Sequence, residues 1–383
     1  MKEISVMEKR IFSIQKHFKP LKDPRILKKT SHKLIDMIII AICAVICGAD
    51  GWTQVEEFGK ARRKWFEGFL ELPHGVPSHN TFGRVFSLIS SKLFQTCFQQ
   101  WINEVFDITG GQVIPIDGKT AKGSHYKKND KAAIHMVHAW AAQNGILLGQ
   151  IKTKEKSNEI TAIPELLKIL EIKGCIITID AMGCQRNIAK EIVEKKADYI
   201  LAVKGNQEKL EEAIKNTFDD AIKNDFKDMK YSTNQTTDKN HGRTEVRTCY
   251  VLPIIYLLGA SGFKKKWKNL RNIILVISER TVDGKTTVEH RFYISSLKRN
   301  AKKISDAIRQ HWSIENSLHW SLDVTFKEDQ CRIRIREAAE NFSLLRKIAL
   351  MYLKNETSLK GGIQTKRLRA GWDSKYLLKV LGV

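Results

Sequence analysis

The chain has 383 residues, with 65 lysines and arginines against 42 aspartates and glutamates, for a formal net charge of +23. A composition of 42% hydrophobic and 28% charged residues excludes a disordered polymer and predicts a soluble globular chain, long enough for two or three domains. A positive excess of this size favours polyanionic partners, with nucleic acid the first expectation.

Residues 1–108 read as helical, with apolar periodicity through Leu34–Ile46, Val55–Phe69 and Phe82–Phe106. The apolar run Met37 to Cys47 lies between Asp36 and Asp50. It falls well short of the roughly 20 residues of a membrane span, so a buried helix is expected and no membrane partner. Ser78 or Asn80 is expected to cap the helix that restarts after the loop Leu72–Pro77. Basic residues cluster at Lys16, Lys19, Lys22, Lys28, Lys29 and Lys33, and again at Arg62, Arg63 and Lys64. That suits either a DNA-binding module or an ordinary solvated helix face. The chain opens without a secretory signal pattern, and its seven cysteines form no CxxC pair, so a cytoplasmic location with reduced thiols is expected.

A boundary falls at Thr109-Gly110-Gly111, after which strands and helices alternate. Strands are expected at 112–116, 133–142 and 146–151, the last two joined by the hairpin turn Gln143-Asn144-Gly145. A helix is then expected over 158–172, a strand over 175–179, a helix over 186–196 and a strand over 199–203. This order describes a mixed α/β, ribonuclease-H-like fold. After a helix at 207–223, a β-rich insertion is expected at about 226–296, with strands at 247–258, 273–279 and 290–294. Residues 302–320 and 337–353 read as helices, and 356–383 as a basic C-terminal tail. The organisation is therefore a helical N-terminal domain (1–108), an α/β domain of ribonuclease-H-like order (112–355) and the tail.

Three acids stand out. Asp117 follows the apolar run Val113–Ile116, Asp180 follows Ile176–Ile179, and Glu315 lies in the helical stretch after residue 302. Two carboxylates at the ends of neighbouring strands, with a third on a helix crossing the sheet edge, suit phosphoryl transfer. Two divalent ions about 4 Å apart can activate an attacking oxygen and stabilise a leaving one, and Mg²⁺ takes hard oxygen ligands. Each acid alone is weak evidence, because an aspartate after a strand is commonly a turn former.

The surrounding strings are more specific. They are Ile116-Asp117-Gly118-Lys119-Thr120, Ile179-Asp180-Ala181-Met182-Gly183-Cys184-Gln185, Val203-Lys204-Gly205-Asn206-Gln207, His241-Gly242-Arg243, Tyr293-Ile294-Ser295-Ser296-Leu297 and His311-Trp312-Ser313-Ile314-Glu315-Asn316. Together they resemble the DDE (Asp-Asp-Glu) transposases of bacterial insertion sequences, in the group that includes the H-repeat-associated proteins. The resemblance covers nearly the whole chain. It implies a DNA transposase that cleaves DNA and transfers strands at the ends of an insertion sequence. It implies two Mg²⁺ ions, with Mn²⁺ as the substitute, held by a catalytic triad of Asp117, Asp180 and Glu315. Terminal inverted repeats, target DNA and a homodimer assembled on DNA in the bacterial nucleoid follow from it as partners and place. The alternatives are a nuclease of the same fold that never joins strands, and a transposon-derived DNA-binding protein without activity.

One feature departs from the pattern. Related families place Tyr, Arg and Lys around the glutamate, where this chain has Ile308, His311 and Leu322. Arg309, His311 and His319 are the candidate replacements for contacting DNA. Lys119, Lys122, Lys204, Asn206 and Arg243 are further candidates, and Trp267, inside a lysine run, is a candidate for stacking on a base. Asp323 is the second choice for the third acid, with Glu328 and Asp329 as further rivals.

Overall fold

A computed structural model describes residues 14–26, 30–105, 110–125, 133–153, 158–240 and 242–382. Lys28, Lys29 and His241 lie outside the described residues.

The N-terminal third is helical: α1 (Leu34–Ile46), α2 (Trp52–Ala61), α3 (His79–Leu88) and α4 (Ser91–Val105). The cap of α3 is Ser78, whose hydroxyl accepts from the Thr81 amide. Helix α1 is the expected buried helix; from Asp36 to Ile46 every residue is buried. No helix among the described residues is long and apolar enough to cross a membrane. These helices have no core of their own. Ile38, Ile40, Phe82 and Phe86 belong to the same apolar cluster as Ile116, Val137, Ile177 and Leu345.

The strands are β1 (Val113–Ala121), β2 (Ile134–Ala141), β3 (Ile146–Lys152), β4 (Ile176–Ile179) and β5 (Asp198–Val203), with α5 (Glu159–Ile169) and α6 (Arg186–Glu194) in the crossovers on either side of β4. Asn158 caps α5 by accepting from the Ile160 amide. β1 pairs antiparallel with β2 and parallel with β4, and β4 pairs parallel with β5. This is the ribonuclease-H-like order read from the sequence.

Beyond α7 (Glu208–Lys223) the insertion is not a separate sheet. Its strands β6 (Ser232–Asn240), β7 (Arg243–Pro253), β8 (Asn272–Val282) and β9 (Lys285–Ser295) join the core through β9 against β5. The result is one nine-stranded sheet in the order β3-β2-β1-β4-β5-β9-β8-β7-β6. The β8–β9 hairpin turns at Asp283 and Gly284, both with positive φ (49° and 74°), as a two-residue primed turn requires.

Helix α8 (Ala301–His311) lies across one face of this sheet. Asn300 caps it, and Ala301, Ile304, Ala307 and Ile308 pack on Val113, Ile176 and Ile200 of the core strands and on Val251 and Ile274 of the insertion. The chain then runs through π-helical turns at Ile314–His319 and Ser321–Thr325 rather than continuing as one helix to Trp320. Helix α9 (Ala338–Asn355) packs along α1.

The stretch read as a basic tail is folded. Helices α10 (Ile363–Trp372) and α11 (Ser374–Leu381) bury Ala370, Tyr376, Leu377 and Val380 in the main core. Two of its cations are internal ties. Lys366 donates to the Leu353 carbonyl. Arg367, 3% exposed, donates to the Val45 and Thr325 carbonyls, pairs with Asp50 at 3.2 Å and stacks over Phe326 at 4.2 Å. Arg367→Met is expected to cost about 3–5 kcal/mol, because it strands buried acceptors at the end of α1. The shift of the urea unfolding midpoint at unchanged slope measures this.

Candidate active site

Ile116 of β1 lies opposite Ile179 of β4. Asp117 and Asp180 are the next residues on the two strands, so the acids stand side by side where the parallel pairing ends. β1 itself does not stop there, as the sequence suggested. It continues to Ala121 against the longer β2. Glu315 arrives from the other direction, on the first π-helical turn after α8. All three carboxylates line one cavity of about 250 Å³, together with Thr178, Lys204, Arg291, Tyr293, His311 and Trp312.

The electrostatics of this cavity are unbalanced. Burial, then the neighbouring charge of Glu159, and also those of Asp180 and Glu315, push the Asp117 carboxyl up to about 7. Asp180 is raised too, by burial and then Glu159, against the amide of Gly183 and the charge of Lys204. The Asp180 side chain accepts from the Gly183 amide at 3.2 Å. The loop after it is braced by the 3-10 turn Gly205–Gln207 that follows β5: Asn206 donates to the Ala181 carbonyl at 2.5 Å and Gln207 to the Cys184 carbonyl at 3.0 Å. Asn206 therefore has a job within the protein, holding the Asp180 loop.

Of the candidates before and after the glutamate, His311 is half-buried against Thr178, its Nδ1 2.9 Å from the Thr178 hydroxyl, and loss of hydration lowers it to about 4. His319 lies with Nδ1 3.5 Å from Asp117 and Nε2 3.3 Å from His138, lowered to about 3 by burial and then by Lys119 and Lys347. Both rings are neutral at pH 7, and neither replaces an arginine as a charged phosphate contact. Arg309 is half exposed and pairs with Asp238 at 2.8 Å. It lines a groove of about 650 Å³ with Arg243, Arg247 and Arg291, and this groove meets the acidic cavity at Arg291, Tyr293, Ile308 and Trp312.

Three sequence expectations are corrected. Trp267 is 1% exposed and belongs to the main core, so it offers no face to a base; it is the apolar anchor of its lysine run. Lys119 is buried and held by Asp323 at 2.6 Å and Asp329 at 3.4 Å, with Glu328 at 3.8 Å. It is spent on that cluster and not available to DNA. Asp323, the second choice for the third acid, is occupied by Lys119 and does not line the cavity. Lys122 is 78% exposed, its ammonium 3.3 Å from Asp329.

Three residues at the site carry little signal in the sequence. Glu159, 9% exposed at the start of α5, pairs with His135 at 2.9 Å against Gly118. Its only sequence signal was its place after the capping residue Asn158. Trp312 and Arg291 also line the cavity, with the guanidinium 4.8 Å from the ring centre.

The donor set suits a divalent cation in its chemistry: three hard carboxylates facing one space, with a repulsion at Asp117 that positive charge would relieve. The side chains do not by themselves close around an ion, since no group of three such ligands among the described residues is set to hold one. Water and substrate phosphate oxygens normally complete such a shell.

Comparison with known proteins identifies the family. Residues 108–352 match the family model described as "Transposase DDE domain", and residues 15–102 the one described as "DDE_Tnp_1-associated". The chain is 43% identical, over 97% of its length and 95% of the relative's, to "Putative transposase YncI" of Escherichia coli O157:H7. It is 40% identical to "H repeat-associated putative transposase YhhI" of Escherichia coli strain K12, over 96% of this chain and 97% of that one. Matched by the family model over residues 108–352 and by such relatives over 96–97% of its length, the chain belongs to the DDE transposase family, in the group of the H repeat-associated proteins.

Proposed function

We propose that this chain catalyses divalent-metal-dependent cleavage and strand transfer at the ends of an insertion sequence, with Asp117, Asp180 and Glu315 as its metal-holding carboxylates. Transposases of this family bind DNA and generally use divalent metal ions. The observation that carries the reading is the single cavity lined by all three acids. With Mg²⁺ bound, the ions would supply an activated oxygen nucleophile and charge neutralisation at the scissile phosphate.

The protein's own contribution is positioning and charge. The paired strands β1 and β4 fix Asp117 and Asp180 relative to each other, and Asn206 and Gln207 steady the loop that carries Asp180 onward. Lys204 and Arg291, on the cavity wall, are set to meet phosphate oxygens. Arg243 and Arg309 extend a basic lining along the adjoining groove. Their present partners, Glu245 and Asp238, are carboxylates that phosphates would displace.

A strand-transfer assay with pre-cleaved element ends, Mg²⁺ and a supercoiled target tests the proposal. Joined product is expected. Cleavage of uncut ends with no joining would identify a nuclease of the same fold, and neither activity would leave only DNA binding.

A further inference from the structure

We infer that Lys264, Lys265, Lys266 and Lys268, with Arg186 and Lys190, form a second DNA surface that grips the phosphate backbone of a duplex away from the reacting phosphate. The inference takes the identity of its polyanion from the transposase reading above. The two segments are far apart in sequence: one is the start of α6, the other the short helix Ala260–Lys266 and the residues that follow it, before β8. They meet around one concavity of about 440 Å³, whose remaining lining is Asn187 and Asn269. No residue of this concavity lines the acidic cavity or its arginine groove.

The basic run is held in place from beneath. Trp267 and Leu270 are buried in the core, and the Tyr199 hydroxyl donates to the Lys268 carbonyl at 3.0 Å. The four lysines beside these anchors are exposed. The folded sheet thus presents them as a fixed array rather than a loose tail.

Charge sets this surface apart. In the groove beside the acids, Arg243, Arg247, Arg291 and Arg309 each have a carboxylate partner. In the concavity no carboxylate contributes to the lining. Of its six cations only Lys190 has an ion pair among the described residues, with Glu194 at 3.7 Å. Like charges held together without a counter-charge repel, and a polyanion removes that repulsion. One or two cations at the end of a short helix would be repaid by its dipole, but that effect is confined to the last turn. It leaves Lys268, Arg186 and Lys190 unexplained.

The chemistry also selects what is read. Five of the six cations are lysines, compact point charges without the planar fork that recognises a guanine edge. Such a surface holds backbone phosphates and positions a duplex without reading its sequence.

The test uses the full chain and a fluorescent random-sequence duplex of about five helical turns, titrated across salt from about 50 to 300 mM. Lys264→Gln/Lys265→Gln/Lys266→Gln should weaken binding at physiological salt by about tenfold or more and flatten the log–log salt slope by about 2–3 units. Arg186→Gln/Lys190→Gln, on the other segment, should flatten it by about 1–2 units, and it stands in if the triple variant misfolds. Salt slopes equal to the parent's in both variants would overturn the inference, as would loss of binding only to anionic lipid vesicles with DNA binding intact. Because the readout is binding, absence of cleavage or joining by the parent would count against the transposase reading and not against this surface.

Discussion

Asp117→Asn is expected to lower end cleavage by about a thousandfold or more while leaving DNA binding in place. In a chelator, it is also expected to make the folded chain more stable than the parent at pH 8. The first effect follows from losing one of three carboxylates around the cavity, and Asp180→Asn and Glu315→Gln should behave alike in cleavage. The second follows from where the Asp117 proton sits. The folded chain keeps it up to about pH 7, whereas an unfolded chain releases it near the ordinary aspartate value of 3.8. Between those values the folded state binds more protons, so raising the pH works against folding, and the penalty is complete above about 7. Its size is on the order of a few kcal/mol. Asparagine has no such proton and escapes the penalty. Thermal unfolding of both proteins from pH 4 to 8 in chelator should show the gap opening in the variant's favour as pH rises. Metal ions should close it by stabilising the parent alone, with a metal requirement that rises as pH falls below about 7. A gap independent of pH would show that Asp117 is not the strained carboxylate described here, and full cleavage by the variant would remove it from the triad.

This combination, three carboxylates around one cavity with Asp117 raised by burial and by its acidic neighbours, was only half legible in the sequence. The two aspartates could be found because each follows a short run rich in Val and Ile, broken only by Pro115 in one and Thr178 in the other, as a buried parallel strand requires. Helix α8 could be found because its apolar residues recur at helical spacing. Strand β6 could not: Ser232-Thr233-Asn234-Gln235-Thr236-Thr237 has no apolar alternation, being an edge strand held by its pairing with β7. Charged residues were the hardest to place. Lys119, Lys366 and Arg367 look like surface cations in a basic chain, and nothing local shows that a buried carboxylate or carbonyl awaits each one. Those partners are long-range, so they appear only with the fold. The same applies to Glu159, whose part in the site comes from its distance to β1 and not from its neighbours in sequence.

Gly118→Ala is the substitution that tests this closeness. Gly118 lies between Asp117 and Lys119 on β1, and its open side faces the first turn of α5. A β-carbon there would stand 2.0 Å from Glu159 Oε1, 2.5 Å from Glu159 Cδ and 2.5 Å from His135 Nε2. The ends of side chains can usually move aside, but these two are pinned. Glu159 is bound to His135 at 2.9 Å, and the other nitrogen of that ring is 2.7 Å from the Thr120 hydroxyl. Thr120 is two residues along the same strand, so it shares a face with Gly118. The added methyl must therefore break the Glu159–His135 pair or bend β1 beside Asp117. A cost of about 1–3 kcal/mol in stability is expected, with cleavage down by about a hundredfold as the Asp117 carboxylate is displaced. Removing the obstruction distinguishes the cause. In the Gly118→Ala background, Glu159→Ala should restore much of the lost stability, because the two closest atoms are gone and only the His135 contact is left to relax. If the double variant is instead as unstable as the two single losses added together, Gly118 and Glu159 act independently, and the glycine beside the first acid is required for some reason other than room for Glu159.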